Sequence, residues 1–144
     1  MTGETIAIAA DHAGFALKAE LKAALEQKGF MVLDLGTHGP ASVDYPDFGT
    51  AMGEAIRSGQ VARGVLVCAT GIGISIAANR FPEVRCALCH DVTTARFARL
   101  HNNANVLALG ARIVGTAVAQ DCLETFLATP FEGGRHALRV AKLG

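Results

Sequence analysis

Residues 5–28 read TIAIAA, DHAG and FALKAELKAALEQK in succession, and this stretch sets the pattern for the rest of the chain. The apolar run from Thr5 to Ala10 is typical of a buried strand. The segment from Phe15 to Lys28 consists mostly of Ala, Leu, Lys and Glu, which favour a helix. A strand, a short polar loop and a helix therefore follow one another, as in the repeating unit of an α/β protein.

The first predicted helix has one apolar face. Leu17, Leu21 and Leu25 recur every four residues, so they fall on one side and predict the face that packs on the core. The polar residues expected on the solvent side are Lys18, Lys22 and Glu26.

The same order of elements repeats along the chain. Further strands are predicted over 31–35, 64–68, 84–89 and 106–109, and further helices over about 47–57, 74–79, 93–100, 115–128 and 135–142. Short apolar strands without alternation are expected where helices cover both faces of a parallel sheet. We therefore predict a single α/β domain over 1–144, with a five-stranded parallel sheet between two helical layers.

Composition excludes several classes of partner. The formal net charge is zero, so no overall basic field attracts nucleic acid or anionic lipid, and phosphate recognition must be local. No apolar run reaches the roughly 18 residues needed to span a bilayer. Because 51% of the residues are apolar and only 18% are charged, part of the apolar surface is expected in a subunit interface.

Four cysteines lie within apolar runs, and a chain of 144 residues can build a core without disulfides. With no secretory signal in the sequence, we expect reduced thiols and a cytoplasmic location. Cys86 and Cys89 are three apart in a predicted strand, so they point to opposite faces and indicate core packing rather than a metal or redox pair. Cys122 falls in a helix and indicates core.

Ligands of open parallel sheets bind beyond the carboxyl ends of the strands. This rule selects five loops before any family is considered. They carry Asp11 and His12, residues 37–45, Cys68 to Ser75, His90 and Asp91, and Gly110 to Arg112.

The loop after the third strand is the richest of the five. Cys68 is followed by small residues that let backbone N–H groups turn inward at the start of a helix, which is the pattern of an anion nest. The same positive potential favours a thiolate, the form in which a cysteine acts as base or nucleophile. The alternative is an ordinary buried cysteine.

Two other glycine-rich motifs fit this loop less well. A nucleophilic phosphatase loop needs an arginine six positions after the cysteine, and that position is Ile74. A dinucleotide fingerprint needs a third glycine where Ile76 stands, and it should follow the first strand.

Polar clusters elsewhere admit two interpretations each. Asp11 and His12 suit proton transfer or phosphate binding, although Asp is also a common helix cap. His101 and Asn102 could serve a polar substrate or form a turn.

The C-terminal segment carries the densest cationic cluster. Arg135 and Arg139 share one helical face, with His136 between them, and guanidinium groups match phosphate oxygens. Arg112 could join them. A solvated surface helix is the alternative.

Five motifs in order resemble the ribose-5-phosphate isomerase type B family across essentially the whole chain. They are DHAG at 11–14, DYPD at 44–47, CATGIGISIAANR at 68–80, HNNANVL at 101–107 and EGGRH at 132–136. The resemblance implies a Rossmann-like α/β/α fold, no cofactor and no metal. It also implies a homodimer, able to associate further into a tetramer, in which two subunits share each active site.

The resemblance also implies roles for individual residues. Cys68 would move a proton between C2 and C1 of the sugar, Thr70 would assist between the oxygens, and His101 would open the sugar ring with help from Asp11. The residues implied around the substrate are His12, Tyr45, Gly71, Ile72, Gly73, Ile74, Asn102, Arg112, Arg135, His136 and Arg139. The C-terminal helix, about 135–142, and the residues around His101 would serve the partner's site.

The expected reaction is interconversion of D-ribose 5-phosphate and D-ribulose 5-phosphate through a cis-enediolate, in the pentose phosphate pathway. Allose 6-phosphate and galactose 6-phosphate isomerases of the family remain alternatives, as does a non-catalytic phosphosugar-binding module. The chain departs from the family at Ala69, where glycine is usual, and this bears on the geometry of the loop.

Overall fold

Strands and helices alternate through the described part of the chain. A computed structural model describes residues 3–144, so residues 1 and 2 of the expected domain lie outside it. The strands are β1 (Thr5–Ala10), β2 (Met31–Asp34), β3 (Arg63–Cys68), β4 (Cys86–Leu88) and β5 (Val106–Gly110). The helices are α1 (Phe15–Gln27), α2 (Tyr45–Arg57), α3 (Ile72–Ala78), α4 (Val92–Asn102), α5 (Thr116–Ala128) and α6 (Arg135–Ala141).

All five strands form one parallel sheet in the order β2-β1-β3-β5-β4. Side chains alternate between its two faces. One face packs against α1, α4 and α5 in a core that contains Leu25 and Phe126. The other packs against α2 and α3 around Met52 and Ile74. The predicted three-layer α/β/α sandwich is confirmed.

Several helices extend beyond their predicted bounds. Helix α2 begins at Tyr45 rather than near 47, because proline is tolerated in the first turn and Pro46 does not delay the start. Helix α3 begins at Ile72 rather than 74, directly after Gly71, whose φ of 79° makes the sharp turn out of β3. Helix α4 continues to Asn102, so His101 lies in its last turn rather than in a loop.

The prediction that Lys18 faces solvent is wrong. Lys18 is only 2% exposed, and its Nζ donates to Asp34 Oδ1 at 2.6 Å. The helical pattern cannot reveal this partner, because Asp34 ends the neighbouring strand β2. Leu17, Leu21 and Leu25 form the buried face as predicted.

The structural cysteines pack as expected. Cys86 contacts the core beneath α3, whereas Cys89 belongs to the core on the opposite face of the sheet. Burial raises the pKa of both thiols, and it raises that of Cys122 to about 11. None of the helices in residues 3–144 is long and apolar enough to cross a membrane.

Candidate active site

The direction in which successive strands are added to the sheet changes after β2. Strand β2 pairs with one side of β1, and β3 pairs with the other side. Such a switch opens a crevice at the carboxyl ends of the strands, here called the carboxyl edge, while the amino ends form the amino edge. The loop after β1 contacts the end of β3, since the Asp11 N–H donates to Val67 O at 3.2 Å. A Cβ on Gly14 would lie 2.6 Å from the same oxygen. The predicted Asp11 loop therefore lies beside the end of β3, where Cys68 is the last residue.

Cys68 is the last residue of β3 and lies at this crevice. It is 4% exposed, and its Sγ accepts a hydrogen bond from the Gly71 N–H at 3.1 Å. The Ile72 N–H donates to Thr70 Oγ1 at 3.2 Å. Within residues 3–144, the N–H groups of Gly73 and Ile74 make no described hydrogen bond. Two amide donors thus remain available beside the thiol for a developing negative charge.

Ala69 fits the loop. Asn103 is the one residue other than glycine with positive φ in the described chain, so Ala69 does not need the freedom of a glycine. Its carbonyl accepts from the Arg112 N–H at 2.9 Å, while Cys68 O accepts from the Ala111 N–H at 2.9 Å. These bonds fix the exposed Arg112 beside the cysteine loop.

Three more predicted residues lie at the carboxyl edge. Asp11 is buried, and its Oδ1 accepts from the N–H groups of Ala13 and Gly14. His12 is exposed and its Nδ1 accepts from the Val43 N–H at 3.2 Å, so Nε2 carries the ring proton. The Tyr45 ring packs on Gly73, where a Cβ would approach it to 2.4 Å.

The other predicted residues form a second cluster on α4 and α6. The His101 and His136 rings stack with centroids 4.1 Å apart and planes within 12°. The face of α4 also brings Phe97 against His101, with centroids 4.9 Å apart. A shallow cavity in this cluster is lined by His101, Asn102, His136, Arg139, Val140 and Leu143.

The two clusters lie at opposite edges of the sheet. In a parallel sheet each helix runs back from the carboxyl edge to the amino edge, and α4, with 11 residues, is about 16 Å long. His101 in its last turn is therefore at the amino edge, far from Cys68. No hydrogen bond, ion pair or ring contact among residues 3–144 joins them. One chain alone does not assemble the predicted constellation.

The amino-edge cluster is largely cationic. Arg135 and Arg139 are exposed, whereas His136 is 5% exposed with its Nε2 buried and 3.4 Å from Glu132 Oε1. Burial lowers the pKa of His136, and His101, Arg135 and Arg139 lower it further against the opposing effect of Glu132.

One group in this cluster has the donor types of a metal site. The ligand atoms of His101, Glu132 and His136 lie within 4.8 Å of one another. Nitrogen lone pairs lie in the imidazole planes, however, and two planes that are nearly parallel do not converge on one ion. As placed, these side chains suit stacking better than coordination.

Sequence reasoning missed two members of this cluster. Phe97 precedes His101 by four residues, so helical spacing alone could have placed both rings on one face. Glu132 precedes His136 by four residues but lies before α6, where helical spacing does not apply.

This fold, with a cysteine-containing loop at the carboxyl ends of its strands, places the chain among the sugar-phosphate aldose–ketose isomerases. The chain belongs to the ribose/galactose isomerase family, whose sequence model matches residues 6–143.

Individual relatives agree with this assignment. The chain is 43% identical over 135 residues to ribose-5-phosphate isomerase B of Escherichia coli, covering 94% of this chain and 91% of that one. It is 42% identical to D-erythrulose-4-phosphate isomerase of Pectobacterium atrosepticum, covering 97% and 93%. The structure of Clostridium thermocellum ribose-5-phosphate isomerase B superposes with a TM-score of 0.96 at 51% identity, covering 97% and 95%. The predicted family and enzyme class are confirmed.

Proposed function

We propose that this enzyme interconverts D-ribose 5-phosphate and D-ribulose 5-phosphate through a cis-enediolate, with Cys68 as the base. The observation that carries the proposal is the Cys68 thiol held beside the unpaired N–H groups of Gly73 and Ile74. A base next to oxyanion donors is what proton transfer between two adjacent carbons requires.

The isomerisation step uses the carboxyl-edge cluster. The Cys68 thiolate takes the proton from C2 of the open-chain aldose and returns it to C1. The Thr70 hydroxyl moves a proton between O1 and O2, while the unpaired N–H groups of Gly73 and Ile74 face the enediolate. Tyr45 binds a substrate hydroxyl from the same edge.

Ring opening and phosphate binding draw on both clusters. His101 of the partner subunit, with Asp11, moves the proton that opens the furanose ring, and Asn102 binds a hydroxyl beside it. The phosphate is held between His12 and Arg112 on one side and Arg135 and Arg139 of the partner on the other. Remote phosphate binding orients the reacting carbons.

A homodimer with shared sites is part of this proposal. Because the two clusters occupy opposite edges of the sheet, a two-fold axis can bring the carboxyl edge of one subunit to the amino edge of the other. Ile72 and Ile76 are each about half exposed beside the Cys68 loop and favour burial in such an interface. In this arrangement α6 serves the partner's site.

Ketose formation from ribose 5-phosphate, allose 6-phosphate and galactose 6-phosphate at saturating concentration tests the substrate. We expect turnover of ribose 5-phosphate to exceed that of both hexose phosphates. The E. coli relative is named for ribose 5-phosphate. A clear preference for a hexose phosphate would replace the proposed substrate, and turnover of none would favour a binding module.

The role of Cys68 is tested by Cys68→Ser, with Cys86→Ser as the matched control. Loss of a general base is expected to reduce kcat by about 10³-fold. Solvent deuterium incorporation at C1 of ribulose 5-phosphate should fall in parallel, while the control variant keeps both activities. A fully active Cys68→Ser enzyme would exclude Cys68 as the base.

A further inference from the structure

The His101 imidazole contacts two other rings. Phe97 lies against it at 4.9 Å between centroids, tilted by 48°. His136 stacks on it from α6 at 4.1 Å, nearly parallel. The χ2 angle of a histidine otherwise has a broad energy minimum, so flanking rings restrict the plane of the imidazole and the directions of its nitrogens.

His136 is itself fixed by its surroundings. Its side chain is buried, and its Nε2 is enclosed and faces Glu132 of the same chain. Arg135 and Arg139, in contrast, are exposed and available to a phosphate. The ring therefore presents a face to His101, and that enclosed nitrogen is not directed toward a ligand.

We propose that His136, together with Phe97, is a positioning residue that fixes the plane of the His101 imidazole for ring opening, rather than a phosphate ligand. This inference rests on the proposed function of His101. A general acid or base acts efficiently only when its nitrogen is directed at the proton that it moves.

Loss of the ring at position 136 should slow the opening of the sugar ring but not the proton transfer between C1 and C2. Ribose 5-phosphate exists as a ring and must be opened. Ribulose 5-phosphate cannot close to a furanose, because its C5 oxygen carries the phosphate. Exchange of its C1 proton with solvent therefore needs the Cys68 loop but no ring opening.

The experiment compares His136→Phe, which keeps a ring, with His136→Leu, which removes it. For His136→Leu, kcat on ribose 5-phosphate should fall about tenfold or more, in line with the rate cost of a misplaced group. Deuterium exchange into ribulose 5-phosphate, KM and inhibition by inorganic phosphate should stay near wild type. His136→Phe should restore most of kcat.

Two further variants complete the set. Arg139→Met, at a proposed phosphate ligand, should raise KM and weaken inhibition by inorganic phosphate. Phe97→Leu alters the second ring contact of His101 at a residue that is 41% exposed, so it tests the inference even where His136→Leu does not fold. We expect a severalfold lower kcat with exchange unchanged.

The outcomes separate this inference from the proposed function. Equal losses in His136→Phe and His136→Leu, or a change confined to KM and phosphate inhibition, would make His136 a ligand and overturn the inference. Equal loss of ring-form turnover and deuterium exchange would overturn it too. No wild-type turnover of ribose 5-phosphate would instead refute the proposed function, and the inference with it.

Discussion

Lys18 shows how a single tertiary partner can override a helical pattern. Its Nζ contacts Asp34 Oδ1 in a setting with little water, and Asp34 also accepts the Gly36 N–H at 2.9 Å. Burial acts to raise the pKa of Asp34, but the hydrogen bonds from Lys18 and Gly36 outweigh it and leave the pKa below its ordinary value. The carboxylate therefore stays charged at neutral pH.

Replacement of Lys18 by Met should leave that charge without its partner. We expect the free energy of unfolding at pH 7 to fall by about 3 kcal/mol, as when a buried pair is broken on one side. The double variant Lys18→Met/Asp34→Asn removes the charge as well and should recover most of the loss. Urea titrations at one protein concentration measure both. Equal stability of the single and double variants would show that the unpaired charge of Asp34 does not cause the loss of stability.

His136 gives the fold a dependence on pH. Because its folded pKa lies below the ordinary 6.5, the unfolded chain binds a proton more readily than the folded one. Its contribution to stability is present above pH 6.5 and is lost as the pH falls through the folded pKa. Burial is the main cause of the lowered pKa, and His101, Arg135 and Arg139 add to it against the opposing effect of Glu132.

The corresponding prediction compares Tm between pH 7.5 and pH 5 for wild type and His136→Phe. Since phenylalanine does not titrate, the Tm of the variant should fall less over this range than that of wild type. The other titrating groups are common to both proteins. Parallel curves would mean that His136 does not resist protonation in the folded state.

Among the secondary-structure elements, β4 is a short edge strand that a side chain protects. The Asn79 amide, just after α3, donates to Cys86 O at 3.0 Å and accepts from Cys86 N at 2.8 Å. These two bonds reproduce what a neighbouring strand would supply. Exposed edges otherwise invite pairing with other chains.

Asn79→Ala should therefore loosen β4. We expect a loss of about 2 kcal/mol in the free energy of unfolding, about 1 kcal/mol for each of the two hydrogen bonds, together with faster exchange of the Cys86 amide hydrogen. Asn79→Asp keeps the acceptor and should retain most of the amide protection. Exchange that is equally fast in both variants would assign the effect to something other than this acceptor.

The elements were more predictable than their ends. All five strands follow from local apolar runs such as 5–10 and 106–110, because both faces of the sheet are covered. The start of α3 depends on Gly71 and the end of α4 on Asn103 in left-handed conformation, and neither turn is marked by periodicity. Carboxyl-edge loops were predictable because all strands of a parallel sheet end on the same side. The stack of His101 on His136 joins residues 35 positions apart and depends on how α6 folds back on α4.

In the proposed homodimer, the opposite placement of Cys68 and His101 has a direct consequence. Neither residue can complete a site within its own chain, so a lesion in each should complement the other across a dimer. In a heterodimer of a Cys68→Ser chain and a His101→Asn chain, one site carries both lesions and the other carries none.

Co-expression of the two variant chains with different affinity tags, followed by purification on both tags, isolates this heterodimer. We expect about half of the wild-type turnover per dimer, while each variant homodimer stays nearly inactive. The matched control pairs Cys68→Ser with Thr70→Val, two lesions at the same edge, so that every site keeps one defect and turnover stays low. Equal recovery in the two heterodimers, or none in the first, would mean that Cys68 and His101 do not meet across the interface.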